Sequence, residues 1–521
     1  MENKNTSAQK EPMEFTFTPE PTRVKCRFFE KPITYELSSD YTLPDYLPEI
    51  RKILGIRHKI SPISRYIGNS VEFSGRVDYD LIYCSDGGEL TSVPLGEDFS
   101  IDVTPEIPSH IDWASGGEAF ASFAAEAVNA RAMAPRKINV KCRLSGNAVF
   151  YGYDEPQRMV SGIKNAEKLQ SDTEYTSHHQ SMSEVIELSD EISIGGETEQ
   201  YRYIGTEGKA LINDTNRSGN MLNCRGEIIY DTVTENKENG ELQHFSGKIP
   251  FTHSIELPAE IDENSVHSVI CHCNEIKVSD GGNKYLLDAE LLLEVDSLKN
   301  NKVLLTEDLF VPGYDSEITY RDFKYEILSK SGCEKLTLNE TIALKEASEN
   351  ETENEKVDFI TALRLDPIKQ SGENATICGS MKAKLIYRSN GEYYSQEINL
   401  PFSADIGSLP QEEKRNVRVY PCICNVLCRI NGKEAIIESD IALSYAVMQK
   451  EKRKIVDNIK IGDVSKKHQT GITVYYPEKD ESLWNVAKKF GISMDSLAAQ
   501  NGLNSPSAKE PINGKHFLMI S

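Results

Sequence analysis

The sequence predicts a mainly β protein: tandem antiparallel, sandwich-like repeat domains followed by a small C-terminal βααβ module. Three observations predict it. Strand-length segments alternate apolar and polar residues, one pattern recurs three times, and the last fifty residues take a helical period between two short strands.

The recurring pattern is a strand ending in Leu/Ile-Ile-Tyr, a polar hairpin, and a second strand opening on Phe-Ser/Thr. It occurs at Gly75 to Tyr83 with Phe99-Ser100, at Cys224 to Tyr230 with Phe251-Thr252, and at Met381 to Tyr387 with Phe402-Ser403. The three tyrosines are spaced at domain length, far beyond the ~20–45 residues of a solenoid repeat. Val77, Tyr79, Leu81 and Tyr83 face one way, with Asp78 and Asp80 opposite. Leu287, Ala289, Leu291, Leu293 and Val295 alternate with acidic residues in the same manner. Such alternation predicts antiparallel sheet with one wet side. Asp86-Gly87-Gly88, Asp280-Gly281-Gly282, Asn390-Gly391 and Asn431-Gly432 supply hairpin turns.

The chain divides on this basis into β domains at 14–155, 171–300 and 305–455, a basic linker at 456–470 and the module at 471–521. Within the first domain, Leu47, Ile50, Arg51 and Leu54 fall on one helical face, so a helix is expected from Pro44 to Leu54. Glu118 to Ala134 is Ala-rich and helical by propensity. Its counterparts, Val266 to Val278 and Val417 to Cys428, are β-like, and strand is expected in all three. The polar stretches 154–170 and 348–356 read as linkers, the second as an exposed loop.

In the module, a strand at Ile472 to Tyr476 precedes Leu483, Val486, Ala487 and Phe490, the apolar stripe of a short helix that Gly491 can end. Ser493 is the expected N-cap of a second helix with Met494, Leu497 and Ala498 inward and Gly502 closing it. A final strand is expected from His516 to Ser521.

Net charge is −23, which disfavours nucleic acid and anionic lipid as partners. Mean hydropathy is −0.46, and no apolar run is long enough to span a bilayer. Met1 to Pro12 lacks the apolar segment of a signal peptide, so the expected location is the cytoplasm. The eleven cysteines are odd in number and irregularly spaced, as reduced, largely structural thiols would be. Cys271/Cys273 and Cys422/Cys424 place thiols on one strand face, but without the paired knuckles of a zinc site. Lys450 to Lys467 holds seven basic residues against three acidic ones. It reads either as a solvated strand and linker or as a contact for an acidic partner. No P-loop, HExxH, GxSxG or GxGxxG occurs, so no catalytic residue, cofactor or metal is assigned, and a non-enzymatic role is expected.

The module resembles the LysM domain. The matching residues are Glu481-Ser482-Leu483-Trp484, Ala487 to Gly491, Asn501 and Asn513-Gly514-Lys515. Asp480 stands where that motif has Gly, and Asn513 where Pro is common. The resemblance implies binding of N-acetylglucosamine-containing glycan in a cleft between two loops, lined by Glu481, Ser482, Asn504, Pro506 and Ile512. Leu483, Trp484 and Lys488 complete the candidate binding set. Trp484 lies about 100° around the helix from Leu483, which gives it two readings: packing on the module's own sheet, or a partly exposed anchor for a partner.

Leu43 to Ile50 (LPDYLPEI), Pro135 to Val140 (PRKINV), the tandem Ile-Tyr/Pro-Phe units and the terminal LysM-like module together resemble the SPOCS-domain spore morphogenetic proteins of spore-forming Firmicutes. The resemblance is to the type that interacts with stage IV sporulation protein A in clostridia. It implies a structural adaptor in the mother-cell cytoplasm at the forespore surface. The adaptor's module would hold that coat-basement ATPase in place of a glycan, in support of coat and cortex assembly.

Overall fold

A computed structural model describes residues 23–61, 63–68, 70–156, 165–193, 197–259, 261–350, 353–372, 374–465, 471–503, 508–509, 512 and 517–520. Three β units follow one another. The first contains β1 (Val24–Thr42), β2 (Ile50–Ile60), β3 (Ser64–Ile67), β4 (Val71–Ser85) and β5 (Leu90–Val103). It continues through β6 (Ile111–Asp112), β7 (Glu118–Ala134) and β8 (Lys137–Asp154). The second contains β9 (Glu167–Ser193), β10 (Tyr201–Ser218), β11 (Met221–Asn236), β12 (Leu242–Glu256), β13 (Val266–Asp280) and β14 (Lys284–Phe310). The third contains β15 (Tyr314–Ala343), β16 (Glu355–Leu365), β17 (Lys369–Ser371), β18 (Asn374–Ser389) and β19 (Glu392–Ser408). It closes with β20 (Arg415–Asn431) and β21 (Glu434–Val464). The module has β22 (Thr473–Tyr475), α1 (Leu483–Phe490), α2 (Met494–Gln500) and β23 (Leu518–Ile520).

Each unit is a sandwich of two antiparallel sheets with the same path. Its first strand pairs with its last, giving sheets β1-β8-β7, β9-β14-β13 and β15-β21-β20. The middle strands make the second sheet: β2-β4-β5, β10-β11-β12 and β16-β18-β19. The recurring sequence pattern has a packing cause. Gly75 pairs with Phe99, Gly226 with Phe251 and Gly379 with Phe402. At each of these glycines a Cβ would lie within 2.8 Å of that phenylalanine ring, so the ring lies over the bare glycine backbone opposite. The tyrosines ending the first strands, Tyr83, Tyr230 and Tyr387, are buried in the three cores. The strands predicted over 118–134, 266–278 and 417–428 are β7, β13 and β20.

Several expectations fail for identifiable reasons. Residues 44–49 form a turn and Ile50 opens β2, so the helix at Pro44 to Leu54 is absent. Pro48 withholds an N–H and disfavours helical backbone at Leu47, and Arg136 donates to the carbonyls of Pro44 (2.6 Å) and Leu47 (3.1 Å). The helical spacing of Ile50 and Leu54 comes from two register shifts in β2, between Ile50 and Lys52 and between Ile53 and Gly55. The stretch 348–356 is exposed at Glu349, Asn350 and Glu353, as a loop would be, but Ser348 and Asn354 are buried, Asn354 bonds the carbonyl of Gly432, and Glu355 opens β16. The boundary residues 300 and 305 fall inside β14, and 455 inside β21. The supposed linker at 456–470 is strand as far as Val464, and 466–470 lie outside the described residues. Three charges of the basic run are satisfied within the chain. Arg453 bonds Glu307 at 3.0 Å, Lys452 bonds Asp322 at 3.2 Å, and Lys454 lies over the Tyr320 ring.

The wet side of the middle sheets is also partly dry. Leu54, Ile82, Cys84 and Leu90 of the first unit meet Ile204 and Val233 of the second and Val357, Ile386 and Tyr393 of the third in one apolar cluster. Ion pairs ring it: Arg51–Glu392 (2.5 Å), Arg202–Glu89 (3.0 Å) and Lys356–Asp231 (3.1 Å) each join a different pair of units. The body is thus three sandwiches closed around a shared centre.

Candidate functional site

The module's two helices are set by their ends. Ser482 caps α1, its hydroxyl accepting from Asn485 N at 3.4 Å, and Gly491 ends it at φ 69°. Glycine takes that left-handed backbone without cost. Ser493 caps α2 through Ser496 N at 3.2 Å. Asn501 closes α2 and ties it to the final strand: its amide bonds the carbonyls of Leu497 and Met519, and its oxygen accepts from Met519 N at 2.6 Å. Leu483, Val486, Ala487, Ile492 and Leu497 pack under Leu518 and Ile520. Phe490 is half-buried and meets Tyr475 edge-on.

Asp480 holds φ 67°, the backbone that the motif's usual glycine takes without strain and that aspartate tolerates. Glu481 turns back into its own loop, accepting from Glu478 N at 3.0 Å and from the Tyr475 hydroxyl at 2.9 Å. Ile512 N donates to the Glu481 carbonyl at 3.0 Å, which pins the two cleft loops together. Asn504 and Pro506 lie outside the described residues.

Trp484 and Lys488 do not face that cleft. Trp484 is 3% exposed, lies edge-on to Phe310, and donates its indole N–H to Asp308 at 2.9 Å. Lys488 grips both oxygens of Asp308, at 2.6 and 2.7 Å, and the Tyr320 hydroxyl adds a bond of 2.7 Å. Burial alone would raise the Asp308 carboxyl, but the bonds from Lys488, Tyr320 and Trp484 hold it below the usual carboxylate range. Burial pushes the Tyr320 phenol up, with Asp308 adding to it. Around this centre, Gly313 N donates to the Gly491 carbonyl (2.9 Å), Met494 N to Glu167 (3.2 Å) and Lys509 to Glu307 (2.5 Å). Trp484 is therefore part of the module's buried core, which Phe310 joins, and not an exposed anchor. It anchors the module to the second β unit.

Sequence reasoning missed Asp308, Phe310, Tyr320 and Glu167. Nothing in the local pattern marks them, because each is an ordinary residue near a strand end. Only the fold brings Lys488 across 180 residues to Asp308.

The opposite face of the module is open. Val474 pairs with Met519, and Ile472 (72% exposed), Val474, Tyr476 (67%), Phe517 and Met519 are all exposed. Strand alternation puts Ile472, Val474 and Tyr476 on one side, with Thr473 and Tyr475 turned inward. Tyr476 and Phe517 lie with ring centroids 6.3 Å apart.

Residues 478–509 match the LysM domain family. That match spans the first cleft loop, both helices and the start of the second loop. No curated protein and no solved structure matches the chain. LysM is a binding module without catalytic chemistry, and N-acetylglucosamine-containing glycan is the ligand class it brings. Among the described residues no helix is long and apolar enough to cross a membrane.

Proposed function

We propose that this chain is a non-catalytic adaptor: a rigid body of three β units that holds a LysM module in a fixed orientation for a protein partner. The observation that carries this is the contrast across the module. Its helical face is fastened to the body through Asp308, while its sheet face leaves five large apolar side chains in solvent. Burying side chains of this size yields about 1.5–3 kcal/mol each. The five are 45–72% exposed, so covering the face yields about 4–8 kcal/mol in all, a drive to association from which ordering costs are subtracted.

The order of the sequence motifs supports a narrower placement. The adaptor works in spore envelope assembly, in the mother-cell cytoplasm at the forespore surface, and its partner is the stage IV sporulation protein A-type coat ATPase. The test is a titration of the purified full chain with that purified ATPase. Saturable binding by the parent, lost on Val474→Glu, fits the proposal; no binding by the parent overturns it.

A second reading is carried by the family match itself. The loop at 478–481 and the segment at Ile512 form the cleft that LysM domains use for sugar, and Glu478, Lys479 and Asp480 are exposed there. Under this reading the chain binds peptidoglycan or N-acetylglucosamine oligomers through loop main-chain groups. Titration with those oligomers separates the two, because Val474→Glu leaves the cleft intact.

A further inference from the structure

Two thiols on β20 have surroundings that an adaptor does not require. The register of β20 on β21 slips between Ile423 and Asn425, which leaves Cys424 as the unpaired residue of a β-bulge. Val417, Val419, Ile423, Val426, Cys428 and Ile430 turn into the core of the third unit. Cys422, one residue before Ile423, therefore points to the opposite face, and Cys424, the extra residue of the bulge, is likewise outside this inward set. Two residues of extended strand span about 6.8 Å, the upper edge of the Cα separation a disulfide bridges. A bulge bends the strand and shortens that span.

Each thiol shifts the titration of the other. Cys422 pairs with Ala442 on β21, and Ala442 pairs with Lys335 on β15. The small alanine leaves the lysine a clear reach over the sheet towards the sulfurs. The Cys422 thiol, with Lys335 and the Ala442 main chain, lowers the Cys424 thiol to about 7 against the effect of burial. Cys424 and burial in turn push the Cys422 thiol strongly up. Both side chains are half-buried, within reach of a small oxidant. Among the described residues no cluster of His, Cys, Asp or Glu could hold a metal, so the pair is not part of such a site there.

We propose that Cys422 and Cys424 form a reversible intramolecular disulfide, with Cys424 the attacking sulfur and Cys422 the resolving one. The oxidant is hydrogen peroxide. The Cys424 thiolate attacks one peroxide oxygen, the O–O bond breaks, and hydroxide leaves and is protonated to water. The sulfenic acid left on Cys424 is then attacked by the Cys422 sulfur. The S–O bond breaks, and the hydroxyl departs as water with the Cys422 proton. Two thiols lose two electrons, and one peroxide gains them. The pair sits beside a joint between units, since Tyr420, two residues earlier, donates to Asp296 of the second unit at 2.8 Å.

The test uses the full chain treated with hydrogen peroxide, blocked with N-ethylmaleimide and digested with trypsin. The peptide Val419 to Arg429 holds Cys422, Cys424 and Cys428. The expected product is this peptide lighter by two hydrogens, with one maleimide, on Cys428, and it reverts with dithiothreitol. Cys422→Ser should trap a dimedone adduct on Cys424. Should that variant misfold, the parent still decides: Cys424 should react about tenfold faster than the exposed Cys333, because more of it is thiolate at neutral pH. Three maleimides on the peptide after peroxide, a bridge to Cys428, or Cys333 reacting first would each overturn the proposal.

Discussion

The two faces of the LysM module use opposite physics. The helical face buries polar groups: an indole N–H and an ammonium converge on one carboxylate. The sheet face exposes apolar ones: Ile472, Val474, Tyr476, Phe517 and Met519. Charge-assisted hydrogen bonds are directional and fix an orientation. Apolar area is not directional, and it drives association with whatever surface fits. The module is thus oriented by its polar side, and its apolar side is left open. A tryptophan that sequence alone could offer as a partner's anchor is used within the chain.

The comparison breaks first at Trp484. Trp484→Ala removes a fully buried side chain and should cost about 3–5 kcal/mol of docking and module stability. Hydrogen exchange of the α1 amides measures it, and unchanged protection would mean that the helical face is not fastened. Asp308→Ala should cost about 1–3 kcal/mol, because it strands the buried indole N–H. Lys488 is partly exposed and recovers water, so its share is small. A double-mutant cycle with Lys488→Met measures that share.

Acid should undo the same contact. The Asp308 and Glu307 carboxyls are both held low in the docked state. A depressed carboxylate contributes fully above its free value, about 3.9 for Asp and 4.3 for Glu, and that contribution is lost as pH falls further. Docking should therefore be insensitive between pH 7 and 5 and weaken below about pH 4. Glu167, raised mainly by burial, acts in the other direction and blunts the change. Exchange of the Gly313 amide, which bonds Gly491 across the contact, follows the loss.

On the open face the expected stability effect is the smallest. Tyr476→Ser and Val474→Glu should shift unfolding by less than about 0.5 kcal/mol, as exposed positions do, and should abolish partner binding. A large loss of stability there would mean that the face is covered within the chain.

Much of the architecture was legible because repetition and alternation report packing directly. The Gly–Phe pairs and buried tyrosines carry the three units, and the caps at Gly491 and Ser493 sit where the sequence puts them. Misreadings arose where local pattern has two causes. Bulges in β2 give Ile50 and Leu54 a helical spacing. The contact between module and body was invisible, since its azimuth on α1 says that Trp484 points sideways but not at what. Asp308 belongs to a strand that the predicted boundary cut in two.

The most direct test of the adaptor account is calorimetric titration of the intact chain, parent and Val474→Glu, with the purified coat ATPase and with N-acetylglucosamine oligomers. The account predicts saturable binding of the ATPase by the parent and none by the variant, with the oligomers unable to compete. Saturable oligomer binding by both proteins, with no ATPase bound by either, would contradict it and make the loop cleft the working face.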